Sequence, residues 1–532
     1  MSSGRAGYTG YIYGLAIPLL LALCVAPVIA AFLPLILSPG ESLRLSGELL
    51  TSPRLWGLWT RSCGIALGTA LTATALGLAI GTCLNGPGLK RRRWLYATFA
   101  VPFLLPPHVL AVAWIDVLGQ QGLLESWGIP TFSLYSTTGV IWVQCLTWYP
   151  IPMLLVVYRL QQIDPHLWES AQILSEPGPI FRRITLPLLY PALSTGFLAV
   201  FIFSLLSFSV PSLLQVPVFT VEIYSSFNSL LDQRQAVLLS APMLLTGGFL
   251  ACIALRRGHA LLPTLPRGNQ GMAAGTHYNR WSACFLALFF GIAVVLPTLA
   301  MLYRIGAPHV LLSAWRTGAG EIGTSVLLGG LGATLLLVLV LPMTLLVPSR
   351  PAPLLWTSLL AYLVSGPVFG IGLIQVWNHA GPTGYLYDRF PILLIAVLGR
   401  YALFAWLGCH LVAPWLPPDT LSAARNLGSG KVRTFLTITL PALRKPLAGV
   451  WACLFLLILG ELECIVLVAP PGWVPVSLRI FTLMHYGPTS MVSALALLQT
   501  IVTALVLYGL AACIGRNKVY TPDKSRYHTV GR

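Results

Sequence analysis

"LSAARNLGSGKVRTFLTITLPALRKPL", residues 421–447, lies between two apolar runs and resembles neither. It holds a glycine, a cluster of Lys and Arg, and an Ile-x-Leu-Pro close. A degraded copy stands earlier: "DPHLWESAQILSEPGPIFRRITLPLL" at 164–189 matches "PPDTLSAARNLGSGKVRTFLTITLPAL" at 417–443. Residue 164 pairs with 417, an offset of 253, and Pro187 pairs with Pro441, an offset of 254. Self-similarity at one long period marks a tandem duplication, and the fold must be read as two copies of one unit.

The flanking runs are membrane spans. Hydrophobic residues make up 56% of the 532, and charged residues only 9%, against about 25% in a soluble domain. Mean hydropathy is +0.80. Runs near the roughly 20 residues that cross hydrocarbon as helix fall at about 12–37, 62–85, 95–118, 137–160, 190–214, 235–255, 281–303, 323–347, 354–377, 391–413, 446–470 and 490–513. This predicts an all-α integral membrane protein of about twelve helices. Each loop copy follows the fourth span of its half, so two six-helix repeats of like orientation are related by a pseudo-twofold axis along the membrane normal. The first repeat is expected at 1–255, with its loop at about 161–189. A Gly- and Pro-rich linker at 256–280 leads to the second repeat at 281–513, with its loop at about 414–445, and a basic tail at 514–532.

The net charge of +17 is topological. Most of the 32 Lys and Arg, including Lys90 to Arg93, Arg182, Arg183, Lys431, Arg433, Arg444 and Lys445, fall on one side if both termini are cytoplasmic, as the positive-inside rule prefers. That distribution explains the basic composition without a nucleic-acid partner. The first apolar run is about 26 residues long, with no clear small-residue cleavage pattern after it, and reads as a retained helix. The ten Cys form no CxxC pair and read as apolar packing.

The two loops resemble the EAA loop of binding-protein-dependent ABC importer permeases: Glu-Ala-Ala, three residues, Gly, nine residues, Ile-x-Leu-Pro. The second copy fits at Ala423, Ala424, Gly428, Ile438, Leu440 and Pro441, with Ser422 in place of Glu. The first keeps Glu169, has Ser170 and Ala171, carries Ser175 in place of Gly, and reaches Ile184, Leu186 and Pro187 one residue early. "FTVEIYSSFN" at 219–228 and "GELECIVLVAPPGWVPVSLRIFTLMHYG" at 460–487 are similar to segments of the fused permeases that import ferric iron, with thiamine and phosphonate importers as close relatives. The resemblance implies the type I (MetI-like) permease fold in a bacterial inner membrane. It also implies two copies of a cytoplasmic ATPase that hold the ATP and Mg, and an extracytoplasmic binding protein that delivers the substrate. Glu169, Ser170, Ala171, Ser175, Ser422, Ala423, Ala424 and Gly428 would then form the ATPase-coupling surface.

The loop chemistry suits a helical hairpin. Asp and Pro open each copy, good helix formers follow, and Gly428 can take positive φ to turn the chain. Small residues at Ala423 and Ala424 would allow close approach, and Pro177, Gly178 and Pro179 are expected to replace the missing glycine turn. The alternative, a basic amphipathic loop on anionic lipid, does not explain repetition at one topological position. "GSGK" at 428–431 lacks the following Ser or Thr and the first Gly of a P-loop, so no ATP site is expected in this chain.

Charges inside spans mark function or pairing. Arg400 lies roughly 20 Å from the loop-side end of its span, and Glu461 and Glu463 lie roughly 22 to 26 Å into the next, at 1.5 Å per residue. One Glu is expected to pair with Arg400. If the helix continues, residues i and i+2 point about 200° apart, and only one Glu can share that face. Glu461 is favoured because it follows Gly460, and the offset sets it opposite Ser207. Ser207, Arg400 and Glu461 are the expected lining of a translocation path, with an ion pair that only fixes packing as the alternative. Asp116 is expected at the outer interface. No metal site is expected, since His379, His485 and "GYLYDRF" lack ligand spacing. An ion-coupled secondary transporter would suit the same helix count, but not the paired loops. HExxH and GxSxG motifs are absent from the sequence.

Overall fold

The computed structural model describes residues 17–85, 94–119, 122–129, 132–258, 280–346, 352–416 and 418–515. Most of the linker expected at 256–280, nearly all of the basic tail and the Lys90–Arg93 cluster lie outside them. The first repeat contributes α1 (Ile17–Leu37), α2 (Pro53–Leu84), α3 (Trp94–Leu104), α4 (Pro107–Leu118), α5 (Thr137–Leu160), α6 (Leu186–Leu206) and α7 (Gln233–Gly258). The second contributes α8 (Trp281–Ile305), α9 (Pro308–Leu346), α10 (Ala352–Leu363), α11 (Gly366–Trp377), α12 (Pro391–Val412), α13 (Leu440–Leu459) and α14 (Thr489–Gly515).

Ten helices among the described residues are long and apolar enough to cross a bilayer, or eleven if α10 and α11, bent by 107°, form one broken span. The all-α, two-repeat membrane fold expected from hydropathy is present, and what the hydropathy runs did not show is that some of them are broken. The run near 95–118 is also interrupted, as α3 and α4, with Pro106 and Pro107 at the junction. Its counterpart breaks at Ser365-Gly366-Pro367. Proline removes a helix N–H and disfavours helical geometry in the residue before it. An average of hydropathy over a window is blind to both effects.

Within the first repeat α2, α5 and α6 pack on one another, and α9, α12 and α13 do so in the second. The leading helices are exchanged. α1 lies on α10, α11 and α12, while α8 lies on α4 of the first repeat and on α14. Glycines seat α1: a Cβ on Gly372 would fall 1.8 Å from the Pro27 carbonyl oxygen, and one on Gly399 would fall 2.4 Å from that of Leu23. Small residues let transmembrane helices meet backbone to backbone, which replaces the hydrophobic drive that lipid removes. Cys24 donates to the Gly399 carbonyl at 3.4 Å on the same seat.

Both loops enter the following span through a π-helical turn, Phe181–Thr185 and Phe435–Thr439, and a third π turn spans Gly291–Val295 in α8. Each is followed by Leu-Pro. A widened turn accommodates the ring that would strike the carbonyl four residues back.

Candidate functional site: a charge cluster where helices break

The EAA-type loops fold as helical hairpins. Pro165–Leu174 leads into Pro177–Ile180 in the first copy, and Pro418–Asn426 into Lys431–Thr434 in the second. Asp164 caps the first hairpin, accepting from the His166 N–H at 3.0 Å. Gly428 stands at φ +76, as its place in the motif requires. Leu427 N–H bonds the Ala423 carbonyl and Ser429 N–H the Ala424 carbonyl, a Schellman-type closure.

The first loop turns differently. Ser175 and Glu176 are both extended, and Pro177, Gly178 and Pro179 begin the next helix instead of supplying the turn expected of them. Proline at the first helical position is pre-set for that role.

Of the expected coupling residues, Glu169, Ser170, Ser422 and Ala423 are exposed. Glu169 lies 3.5 Å from His166 of its own helix. Ala171 and Ala424 are both buried. Ala171 packs against Val156, Leu160, Ile180 and Leu189. Smallness there lets the first hairpin lie on its own repeat. The exposed tips instead carry apolar side chains: Ile173 and Leu174 in the first copy, and Leu427, 87% exposed, in the second.

The second set of candidates converges at mid-chain breaks. α6 ends at Leu206, with Ser207 extended and a short helix resuming at Ser209. α13 ends at Leu459, and 461–464 leave the helix before Ile465. The same bonds support both breaks. Thr220 Oγ1 donates to the Ser207 carbonyl and Ser477 Oγ to the Glu461 carbonyl, each at 2.9 Å. The helices that follow, Phe219–Asn228 and Val476–Tyr486, have Phe219 N–H on Ser62 and Val476 N–H on Ser325.

Between the breaks lies a cavity of about 70 Å³, lined by Phe103, Pro106, Thr147, Trp148, Ser207 and Ser209 from the first repeat, and Tyr362, Arg400, Tyr401, Gly460, Glu461 and Glu463 from the second. Ser207, Arg400 and Glu461 are thus brought together as expected, all buried. The expectation that one Glu must face away is overturned. Arg400 Nη2 meets Glu463 Oε2 at 2.7 Å, and its Nε lies 3.5 Å from Glu461. Outside a helix the 100° step no longer separates i from i+2.

Glu461 also accepts from the Tyr401 hydroxyl and from Cys464 N–H at 2.7 Å. Arg400 Nη1 donates to the Val364 carbonyl at 3.0 Å, and its guanidinium lies over the Tyr362 ring at 5.4 Å. Two carboxylates around one guanidinium in a low-dielectric interior are an arrangement kept only with dense hydrogen bonding. Glu463 was the residue helical reasoning excluded. Gly460, a poor helix former, was the signal that the helix stops.

Asp116 is buried and pairs with Arg304 of α8 at 3.2 Å while accepting from Ser493 of α14 at 2.5 Å. The exchange of α8 onto α4 brings Arg304 to it, a placement no local reading shows. Arg44 pairs with Glu48, Arg54 with Glu222, and Arg234 with Glu41.

Two repeats of like helix order, each with an EAA-type loop and a broken helix facing a shared cavity, define a two-repeat permease. Residues 73–257 match the family described as "Binding-protein-dependent transport system inner membrane component". The chain is 25% identical to "Fe(3+)-transport system permease protein FbpB 2" of Haemophilus influenzae over 84% of its own length and 88% of the relative's. It is 31% identical to "Ferric transport system permease protein FbpB" of Actinobacillus pleuropneumoniae over 27% of this chain and 23% of the other. It is 27% identical to "Probable sulfate transport system permease protein cysT" of Helicosporidium sp. subsp. Simulium jonesii over 30% of this chain and 61% of the other. The resemblance drawn from the loops holds: these matches support a fused, two-repeat permease of the binding-protein-dependent importer type.

Proposed function

We propose that this chain forms the translocation path of an ATP-driven importer for ferric iron, delivered by an extracytoplasmic binding protein and driven by two ATPase subunits that hold the ATP and Mg. In this reading the repeats divide at 256–280, both termini and both EAA-type loops are cytoplasmic, and the loops dock one ATPase each. Access alternates as the repeats move about the pseudo-twofold axis, with Ser207, Arg400 and Glu461 in the path. The observation that carries the cargo assignment is the central cavity, where Glu461 and Glu463 outnumber Arg400. Carboxylate oxygens are hard donors that suit a cation and not an oxyanion such as sulfate. The ferric permeases among the relatives support the same choice. The exposed apolar tips Leu174 and Leu427 suit a protein groove.

The test is uptake of radiolabelled ferric iron into iron-starved cells with and without the gene, using Gly428→Pro as the uncoupled control, because proline cannot adopt the φ of +76 found there. Uptake that needs the gene and fails in the variant supports cargo and coupling together. Unchanged uptake removes iron and makes thiamine and phosphonates the next cargoes.

A further inference from the structure

We propose that Glu463 is a latch between the repeats: its carboxylate holds the helix breaks together at rest and must exchange partners when the repeats part. The proposal rests on the alternating-access reading above. Glu463 Oε2 accepts from Arg400 Nη2 within its own repeat. Its Oε1 accepts the backbone N–H of Phe208, at 3.0 Å, from the other repeat.

That amide is available because α6 has already ended. Ser207 is extended, and Phe208 precedes the short helix Ser209–Leu213, where a backbone N–H has no intrahelical acceptor. The third break joins at the same point. A Cβ on Gly366, between α10 and α11, would fall 2.3 Å from Glu463 Cβ, so the backbone of that break presses on this side chain. Arg400 ties the same break through the Val364 carbonyl. One carboxylate thus meets the breaks at Ser207, Gly366 and Gly460.

The bonds differ in what motion does to them. Arg400, Glu461, Glu463 and Val364 belong to one repeat and can travel together. Phe208 and Glu463 belong to different repeats, so any separation at the axis lengthens their bond. The Phe208 and Phe481 rings, 5.9 Å apart, make a second contact between the repeats beside it. A buried carboxylate oxygen that loses its donor needs a replacement, and the adjoining cavity is large enough for water to supply one. The first repeat has Ser209 where the second has Glu463, so the latch is single and the two repeats are unequal.

The test uses the full complex in nanodiscs, comparing ATP hydrolysis with and without the binding protein for wild type, Glu463→Gln and Glu463→Ala. Gln keeps an oxygen for the Phe208 N–H but loses the charge on which Arg400 acts. Loss of the latch in Glu463→Ala should raise basal hydrolysis by about tenfold, as expected for one charge-assisted hydrogen bond, and bring the stimulation ratio toward one, with Gln between. A merely structural role would lower both rates in parallel.

A second readout needs this chain alone: alkylation of buried Cys464 by N-ethylmaleimide, with Cys24, buried under α1, as the internal control. Faster reaction at Cys464 only supports the latch. Wild-type rates at both cysteines, or equal acceleration at both, would overturn it. If the wild-type complex shows no stimulation, the importer reading fails while the cysteine readout still judges the latch.

Discussion

Asp116 and Arg304, 188 residues apart, form a buried ion pair that fastens the leading helix of the second repeat to the first. Ser493 of α14 completes it, so three helices meet at one carboxylate. No ion pair of this kind fastens α1 to the second repeat among the described residues. That seat rests on Gly372 and Gly399 instead. The two exchanges share topology and differ in chemistry.

Breaking one partner of a buried pair leaves the other charge uncompensated, at about 3–5 kcal/mol, whereas replacing both by apolar groups is often tolerated. Arg304→Leu, which removes the cation beside the buried Asp116 carboxylate, should therefore lower the thermal midpoint in detergent more than the double variant Asp116→Leu/Arg304→Leu. Equal melting of single and double variants would show that the pair contributes nothing to holding α8.

At the other seat, a side chain on Gly372 has no room. Gly372→Ala should lift α1 and accelerate maleimide labelling of Cys24, because the added carbon meets the Pro27 carbonyl. Gly320→Ala, with open space around its Cβ position, is the matched control. It should leave labelling unchanged and stabilise α9 by up to about 1 kcal/mol through helix propensity.

The loops separate folding from coupling. Ala171→Asp places a carboxylate among Val156, Leu160, Ile180 and Leu189 and should reduce both melting temperature and ATPase stimulation. Leu427→Asp changes a side chain that is 87% exposed. It should leave melting within about 0.5 kcal/mol of wild type yet reduce stimulation, measured with purified ATPase. If stimulation survives in Leu427→Asp, docking does not use the tip.

The repeat architecture and the loop positions were legible because duplication and hydropathy act on long windows. The positive φ at Gly428 was legible because so few residues can adopt it. The breaks were not. Ser207, Gly366 and Gly460 interrupt runs whose average hydropathy is undisturbed, and the pairing of Glu463 depends on that local geometry. The Asp116–Arg304 contact was hidden for a different reason: it arises from the exchange of helices between repeats, and nothing local encodes which repeat a leading helix will join.

Arg400 offers the most direct test of the central cluster. It donates to Glu463 and to the Val364 carbonyl through separate nitrogens and is only 2% exposed. Lysine keeps the charge but not the planar fork that spans two acceptors. Arg400→Lys should therefore assemble in the membrane but transport poorly. Arg400→Leu leaves Glu461 and Glu463 facing each other without a cation, and should sharply reduce the amount of folded protein recovered. Adding Glu463→Gln to Arg400→Leu removes one of the two stranded charges and should restore folded yield without restoring uptake. Yield is read by size-exclusion chromatography and uptake by radiolabelled iron. Recovery of uptake along with yield would mean that the cluster serves packing alone, because a path that depends on these charges cannot work after two of the three have been removed.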